Sequence, residues 1–128
     1  MGDVSHIYRD ALLNAVRNGT PFVGLFTTMP AADGTGGVEP TGGNYIRKAI
    51  TFGAPAAATP TGRQITQSTT VDFNEATGNW GTLIGAGIWD AVTGNLLVFK
   101  LFTGSATKVI ITGQIARLLS GSYVIIVP

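Results

Sequence analysis

Residues 80–103 read WGTLIGAGIWDAVTGNLLVFKLFT, and this stretch decides the fold. It reads as two strands joined by a tight turn. In the first arm Trp80, Thr82, Ile84, Ala86 and Ile88 alternate with Gly81, Leu83, Gly85, Gly87 and Trp89. That period of two sends successive side chains to opposite faces of a sheet. The second arm, Leu96 to Phe102, is apolar on both faces except at Lys100, as in a strand enclosed by other layers. Between the arms Asp90 suits the first position of a type I turn, and Gly94 is expected to supply the positive φ that closes the loop with a bulge. Gly85 and Gly87 mark a face that another layer approaches closely, with Trp89 lying over the space they leave. The hairpin carries no chemistry.

Upstream, Ser5 reads as the N-cap of a helix running to about Arg17. Tyr8, Ala11, Leu12, Ala15 and Val16 share one face of it, with Arg9, Asp10, Asn14 and Arg17 mostly on the other. Asn18-Gly19 and Pro21 stop it. A helix this short does not stand alone in water, so it must pack on the sheet or on another subunit. Phe22 to Thr28 is an apolar strand. Residues 29–44, MPAADGTGGVEPTGGN, form a long surface loop, of the length that in compact domains is usually functional or mobile. Its glycines make ordering costly, so it is expected to order mainly against a partner surface. Tyr45 to Phe52 reads as a strand near a sheet edge, because Arg47 and Lys48 put one charge on each face.

Gly53 to Gly62 is a second loop, and Arg63 to Phe73 a Thr-rich strand pair or one bent strand. A turn follows at Asn74 to Asn79. Past the hairpin, Gly104 to Thr107 turns into Lys108–Thr112, then Gly113 to Gly121, and the strand Ser122–Val127 comes last. There is no internal repeat and no heptad. Seven or eight short strands with Gly-rich turns predict a mainly β chain, an antiparallel β-sandwich or jelly-roll-like domain with one short N-terminal α-helix. All 128 residues form one domain, with residues 1–19 as a helical arm.

Composition narrows the function. Charged residues are 12% of the chain, about half the usual share. Mean hydropathy is +0.31, yet no apolar run approaches the ~20 residues a membrane span needs. The first residues, MGDVSH, lack the pattern of a signal peptide. A soluble surface this poor in charge is expected to be covered by self-association or by docking on a larger assembly. A net charge of +1 with scattered Lys and Arg argues against nucleic acid as partner. Zero cysteines remove disulfides, thiolate zinc sites and cysteine nucleophiles.

A catalytic constellation is equally hard to assemble. His6, the single histidine, sits in the first turn of the helix and reads as a solvated imidazole. The carboxylates are Asp3, Asp10, Asp33, Glu39, Asp72, Glu75 and Asp90. Asp33 and Glu39 could meet as a glycosidase pair or join loop carbonyls around calcium, but the spacing is not that of an EF-hand loop. Gly34-Thr35-Gly36-Gly37 and Gly85-Ala86-Gly87 resemble phosphate loops in composition alone, since no strand, Gly-rich turn and helix follow one another. Trp80, Trp89, Phe99 and Phe102 offer a sugar platform or, more commonly, cross-strand core packing. No enzyme activity, metal or cofactor is expected.

Three segments carry a resemblance to a family: LFTTMPAADG at the start of the long loop, GGNYIRKAITF, and the WG–GIWDA–TGN–L hairpin. Together with the Thr-rich stretch, they are similar from about Ala11 onward to small tailed-bacteriophage virion proteins, many labelled phage tail fibre protein. Met29 departs from the acidic residue expected before Pro30. Similar small β-sandwich proteins look like capsid decoration or cement proteins. The resemblance implies a virion structural part made in the bacterial cytoplasm. The absence of a repetitive shaft favours capsid decoration that clamps neighbouring capsomers, with a tail-fibre or baseplate part as the alternative and a carbohydrate-binding module behind both. Partners would be the major capsid protein, or tail proteins, and further copies of the chain. The expected interface comprises Tyr8, Leu12, Asp33, Gly36, Gly37, Glu39, Tyr123 and Ile125. Tyr123 and Ile125 enter because SYVIIVP is apolar on both faces.

Overall fold

The computed structural model describes residues 5–58, 62–102 and 108–127. Among the described residues one helix, α1 (His6–Arg17), precedes eleven short strands: β1 (Phe22–Phe26), β2 (Lys48–Ala49), β3 (Ala56–Ala57), β4 (Arg63–Thr66), β5 (Val71–Asp72), β6 (Gly81–Leu83), β7 (Gly85–Trp89), β8 (Leu96–Leu101), β9 (Lys108–Ile110), β10 (Arg117–Leu118) and β11 (Val124–Val127). Every pairing is antiparallel. The chain is mainly β, as the alternation predicts. The turn expected at Gly104 to Thr107 lies outside the described residues.

The principal sheet runs in the order β2-β1-β7-β8, and a three-stranded sheet runs β11-β4-β3. Two smaller ribbons, β6-β9 and β10-β5, complete the set. Val23, Leu25, Ala86 and Ile88 of the principal sheet share one apolar core with Ile65 and Ile125 of the three-stranded sheet and with Tyr123 just before β11. Tyr123 Oη donates across it to the Ala86 carbonyl, tying the two layers. Inside this core Gln67 leaves no polar atom unpaired. Its amide nitrogen donates to the Thr69 and Leu118 carbonyls, and its side-chain oxygen accepts from Tyr123 N.

Helix α1 starts where expected, with Ser5 Oγ accepting from Tyr8 N. Its buried face is a different one. Leu13 enters the core and Val16 packs beside it, while Tyr8, Ala11, Leu12 and Ala15 face outward. The helix docks through residues assigned to its polar face: Asp10 accepts from Arg63 and Arg17 Nε donates to the Phe52 carbonyl. Burial of Leu13 and Val16 together with the Asp10–Arg63 pair sets its rotation.

The hairpin holds with three corrections. The first arm is two strands, not one. Gly81 adopts φ 86°, and at Ile84 the backbone N–H bonds to Phe26 while the carbonyl accepts from Phe102. At Ile84 the chain passes from one sheet to another, so Leu83 and Ala86 both enter the core although simple alternation separates them. The twist at Gly81 does the same for Trp80 and Leu83. The turn closes without a positive φ at Gly94. Instead Asp90 Oδ1 accepts from Asn95 N at 2.7 Å, and a Cβ at Gly94 would fall on that oxygen. A bulge does follow, since Val98 faces Ile88 and Leu96 faces Trp89. Finally, β8 is not enclosed. It is an edge of its sheet, with Leu97 and Leu101 exposed.

Elsewhere the segment 45–52 contributes only the two-residue strand β2 and a bridge from Phe52 to Gln67. It is a sheet edge, as its charges suggest. Residues 63–73 form two strands that pair with different partners.

Candidate interaction surfaces

The long loop is the most heavily anchored irregular segment. Val38 bridges Thr28, its N–H donating to Thr28 O and its carbonyl accepting from Thr27 N. Ala31 N donates to Thr35 O, closing the tip, and Asp33 Oδ1 accepts from both Thr35 N and Thr35 Oγ1. Those donors hold the Asp33 carboxyl below its ordinary range. The loop therefore carries its own internal fastening.

Its base is a polar knot on the outer face of the principal sheet. Glu39 Oε1 accepts from Tyr45 Oη at 2.8 Å and Arg47 Nε at 3.0 Å, and Oε2 accepts from Arg47 Nη2 at 2.9 Å. The Arg47 guanidinium lies 3.8 Å from the centre of the Trp89 ring, a cation–π stack, and donates to the Val92 carbonyl. Tyr45 Oη in turn accepts from Leu25 N, which β2 is too short to reach. Burial raises the Tyr45 phenol well above its ordinary pKa, and the Glu39 charge adds to the rise. Gly24 leaves the room for this knot, because a Cβ there would meet Glu39, Trp89 and Tyr45 together.

The eight residues expected at an interface thus separate. Tyr8 and Leu12 are exposed on the outer helix face, and Ile7 beside them is 84% exposed. Asp33 and Gly36 lie at the exposed loop tip, and Gly37 is exposed but packs its backbone on the Phe26 ring. Glu39 spends its carboxylate inside the molecule. Tyr123 and Ile125 are core residues, at 2% and 7% exposure, and cannot meet a partner in the folded chain. They point inward because β11 pairs with β4, setting Ile125 beside Ile65, which turns Ile126 outward instead.

Among the described residues chemistry is not concentrated anywhere. Asp10, Glu39 and Asp72 pair with Arg63, Arg47 and Arg117. Asp33 is satisfied by Thr35, so the glycosidase and calcium pairings with Glu39 find both carboxylates already engaged. No group of three His, Cys, Asp or Glu residues gathers among the described residues. Trp80 and Trp89 are buried, and Trp80 packs edge-on against Tyr45 and Phe73, so these two form core rather than a sugar platform, while Phe99 and Phe102 are half-buried.

Exposed apolar side chains are instead the prominent surface feature. Besides the helix face, Leu97, Leu101, Val109, Ile111, Ile115 and Leu119 all stand exposed. An open concavity of about 260 Å³ is lined by Phe73, Leu83, Phe102, Ile110 and Ile115. A second, of about 500 Å³, shares Phe102, Lys108, Arg117 and Leu118 with it and adds Lys100 at its wall. Sequence reading missed these residues. Their only signal was apolar side chains on both faces of a strand, which fits burial as well as an open edge.

A family model described as "Podophage GP4 fiber I protein gp80" matches residues 3–125. No curated protein matches the chain. The chain belongs to this family of phage fibre proteins, and it is a structural protein of the virion.

Proposed function

We propose that this member of the fibre family is a non-enzymatic building part of the tail-fibre apparatus of a short-tailed phage, acting through contacts with other virion proteins. The observation that carries the reading is the family match, which spans nearly the whole chain. The surface supports it. Thirteen large apolar residues stand exposed among the described residues, while charged residues make up only 12% of the chain, a balance suited to burial between subunits. Three of the seven carboxylates, Asp10, Glu39 and Asp72, serve internal ion pairs, consistent with a structural part.

Capsid decoration, favoured by the low charge, the long loop and the helical arm, becomes the second reading. Its main support weakens with a loop that is fastened down on its own sheet and an interface shorn of Tyr123 and Ile125. Quantitative mass spectrometry of purified particles separates the two. The fibre reading expects a copy number that is a small fraction of the major capsid protein's, lost with the fibres when they are sheared off. A copy number comparable to the capsid protein's, retained on tailless heads, would move the protein to the shell.

A further inference from the structure

We infer that the free edge of β8 is a self-association site, pairing antiparallel with β8 of a second copy so that the two principal sheets continue into one. This does not depend on where in the virion the protein sits. β8 is six residues long and ends its sheet, and among the described residues no strand pairs with its outer side. Natural sheets guard such edges with prolines, outward charges, bulges, short strands or a covering segment. LLVFKL has no proline, and its one charge, Lys100, folds inward with Nζ 5.5 Å from the centre of the Tyr123 ring. The bulge lies at one end only. The opposite edge, β2, is guarded: it is two residues long and carries Lys48.

The ladder also fixes which residues face outward. Phe102 N donates to Ile84 O, and antiparallel pairing alternates along a strand, so Lys100 and Val98 turn their backbone groups to β7. Phe99 and Leu101 then present theirs to the open side. Their side chains, with Leu97, lie on the outer face, where Leu97 and Leu101 are 44% and 58% exposed. A second β8 is the occupant because no other free edge among the described residues is as long: β11 has four residues and β3 two. A two-fold axis through Phe99 pairs Phe99 with its copy and sets each Leu101 beside the other copy's Leu97. It also places Lys100 opposite Val98. Moving the axis to Lys100 would oppose two ammonium groups, which like-charge repulsion disfavours.

The full chain in sedimentation equilibrium over rising concentration tests this, with two variants. The wild type is expected to approach twice its 13.2 kDa mass. Leu101→Lys, changed at a mostly solvated side chain, is expected to stay at the single-chain mass with an unchanged melting curve when dilute. Since the chain has no cysteine, Phe99→Cys gives a clean crosslink. Copies across the axis stand about 5.5 Å apart at Cα, within disulfide reach. A dimeric disulfide should therefore form with Phe99→Cys and not with Ala49→Cys on the opposite edge. A wild type that stays at 13.2 kDa throughout, or an association that Leu101→Lys leaves intact while Phe99→Cys fails to crosslink, would overturn the inference.

Discussion

β7 and β8 are neighbours in the chain and in the sheet, and they solve opposite problems. Every residue of β7 is buried, with β1 on one side and β8 on the other. It achieves this with small residues: Gly85 lies under Met29 and Gly87 under Phe26, Leu96 and Trp89. β8 carries the larger side chains, yet two of its six residues are exposed and one edge is free. Bulk and hydrophobicity alone therefore do not mark the interior. Inside a strand covered on both faces, glycine records how near the next layer comes. Large apolar residues on an edge record a layer that the single chain does not contain.

Overfilling β7 should produce the largest effect. A Cβ at Gly85 would lie 2.6 Å from the Lys100 carbonyl oxygen and against the Met29 sulfur, and backbone gives little way. Gly85→Val is expected to cost about 3 kcal/mol, the upper part of the usual overpacking range, and Gly87→Val about 1–3 kcal/mol, read by denaturant melts. Equal tolerance of valine at these sites and at Leu101 would erase the contrast between the strands.

Next is the knot that covers the outer face of β1 and β7. Glu39→Ala leaves the Arg47 guanidinium and the Tyr45 hydroxyl short of their acceptor in a part-buried site. The expected loss is about 1–3 kcal/mol, with faster hydrogen exchange across residues 38–47. A neutral result would mean that the loop is held by Phe26, Met29 and the Thr28–Val38 bridge alone.

The two buried tyrosines, one on each side of β7, should respond to alkali. Burial raises the phenol pKa of Tyr123, and of Tyr45, far above the ordinary ~10. The folded chain then keeps protons that the unfolded chain releases. Stability is complete below about pH 10 and falls as pH rises beyond it. Melting temperatures between pH 8 and about 11 should show a late decline that Tyr123→Phe makes shallower. Smallest of all is Leu101→Lys, with stability expected to change by no more than about 0.5 kcal/mol while association changes strongly.

Much of this architecture was legible. Ser5 and Asn18 bracket the helix, Asp90 starts its turn, Arg47 and Lys48 announce an edge, and alternation identifies the strands. What escaped depended on distant partners. The rotation of α1 follows from Leu13 entering a core built by later strands and from Asp10 meeting Arg63, fifty-three residues away. The break at Ile84 follows from Phe26 and Phe102 claiming its two backbone groups. Tyr123 and Ile125 were misplaced because VIIV reads equally well with either face inward, and only the register with β4 chooses. Glu39 looked like a loop carboxylate free for a partner, since nothing local shows that Tyr45 and Arg47 fold back onto it.

The contrast between a closed β7 and an open β8 is tested most directly by residue-resolved hydrogen exchange on the free protein at low and high concentration. The account predicts that the amides of Ala86 and Ile88 exchange slowly at every concentration. Those of Phe99 and Leu101 should exchange rapidly when dilute and slow as concentration rises. Phe99 and Leu101 amides as protected as β7 in dilute solution, or unprotected at every concentration, would contradict it.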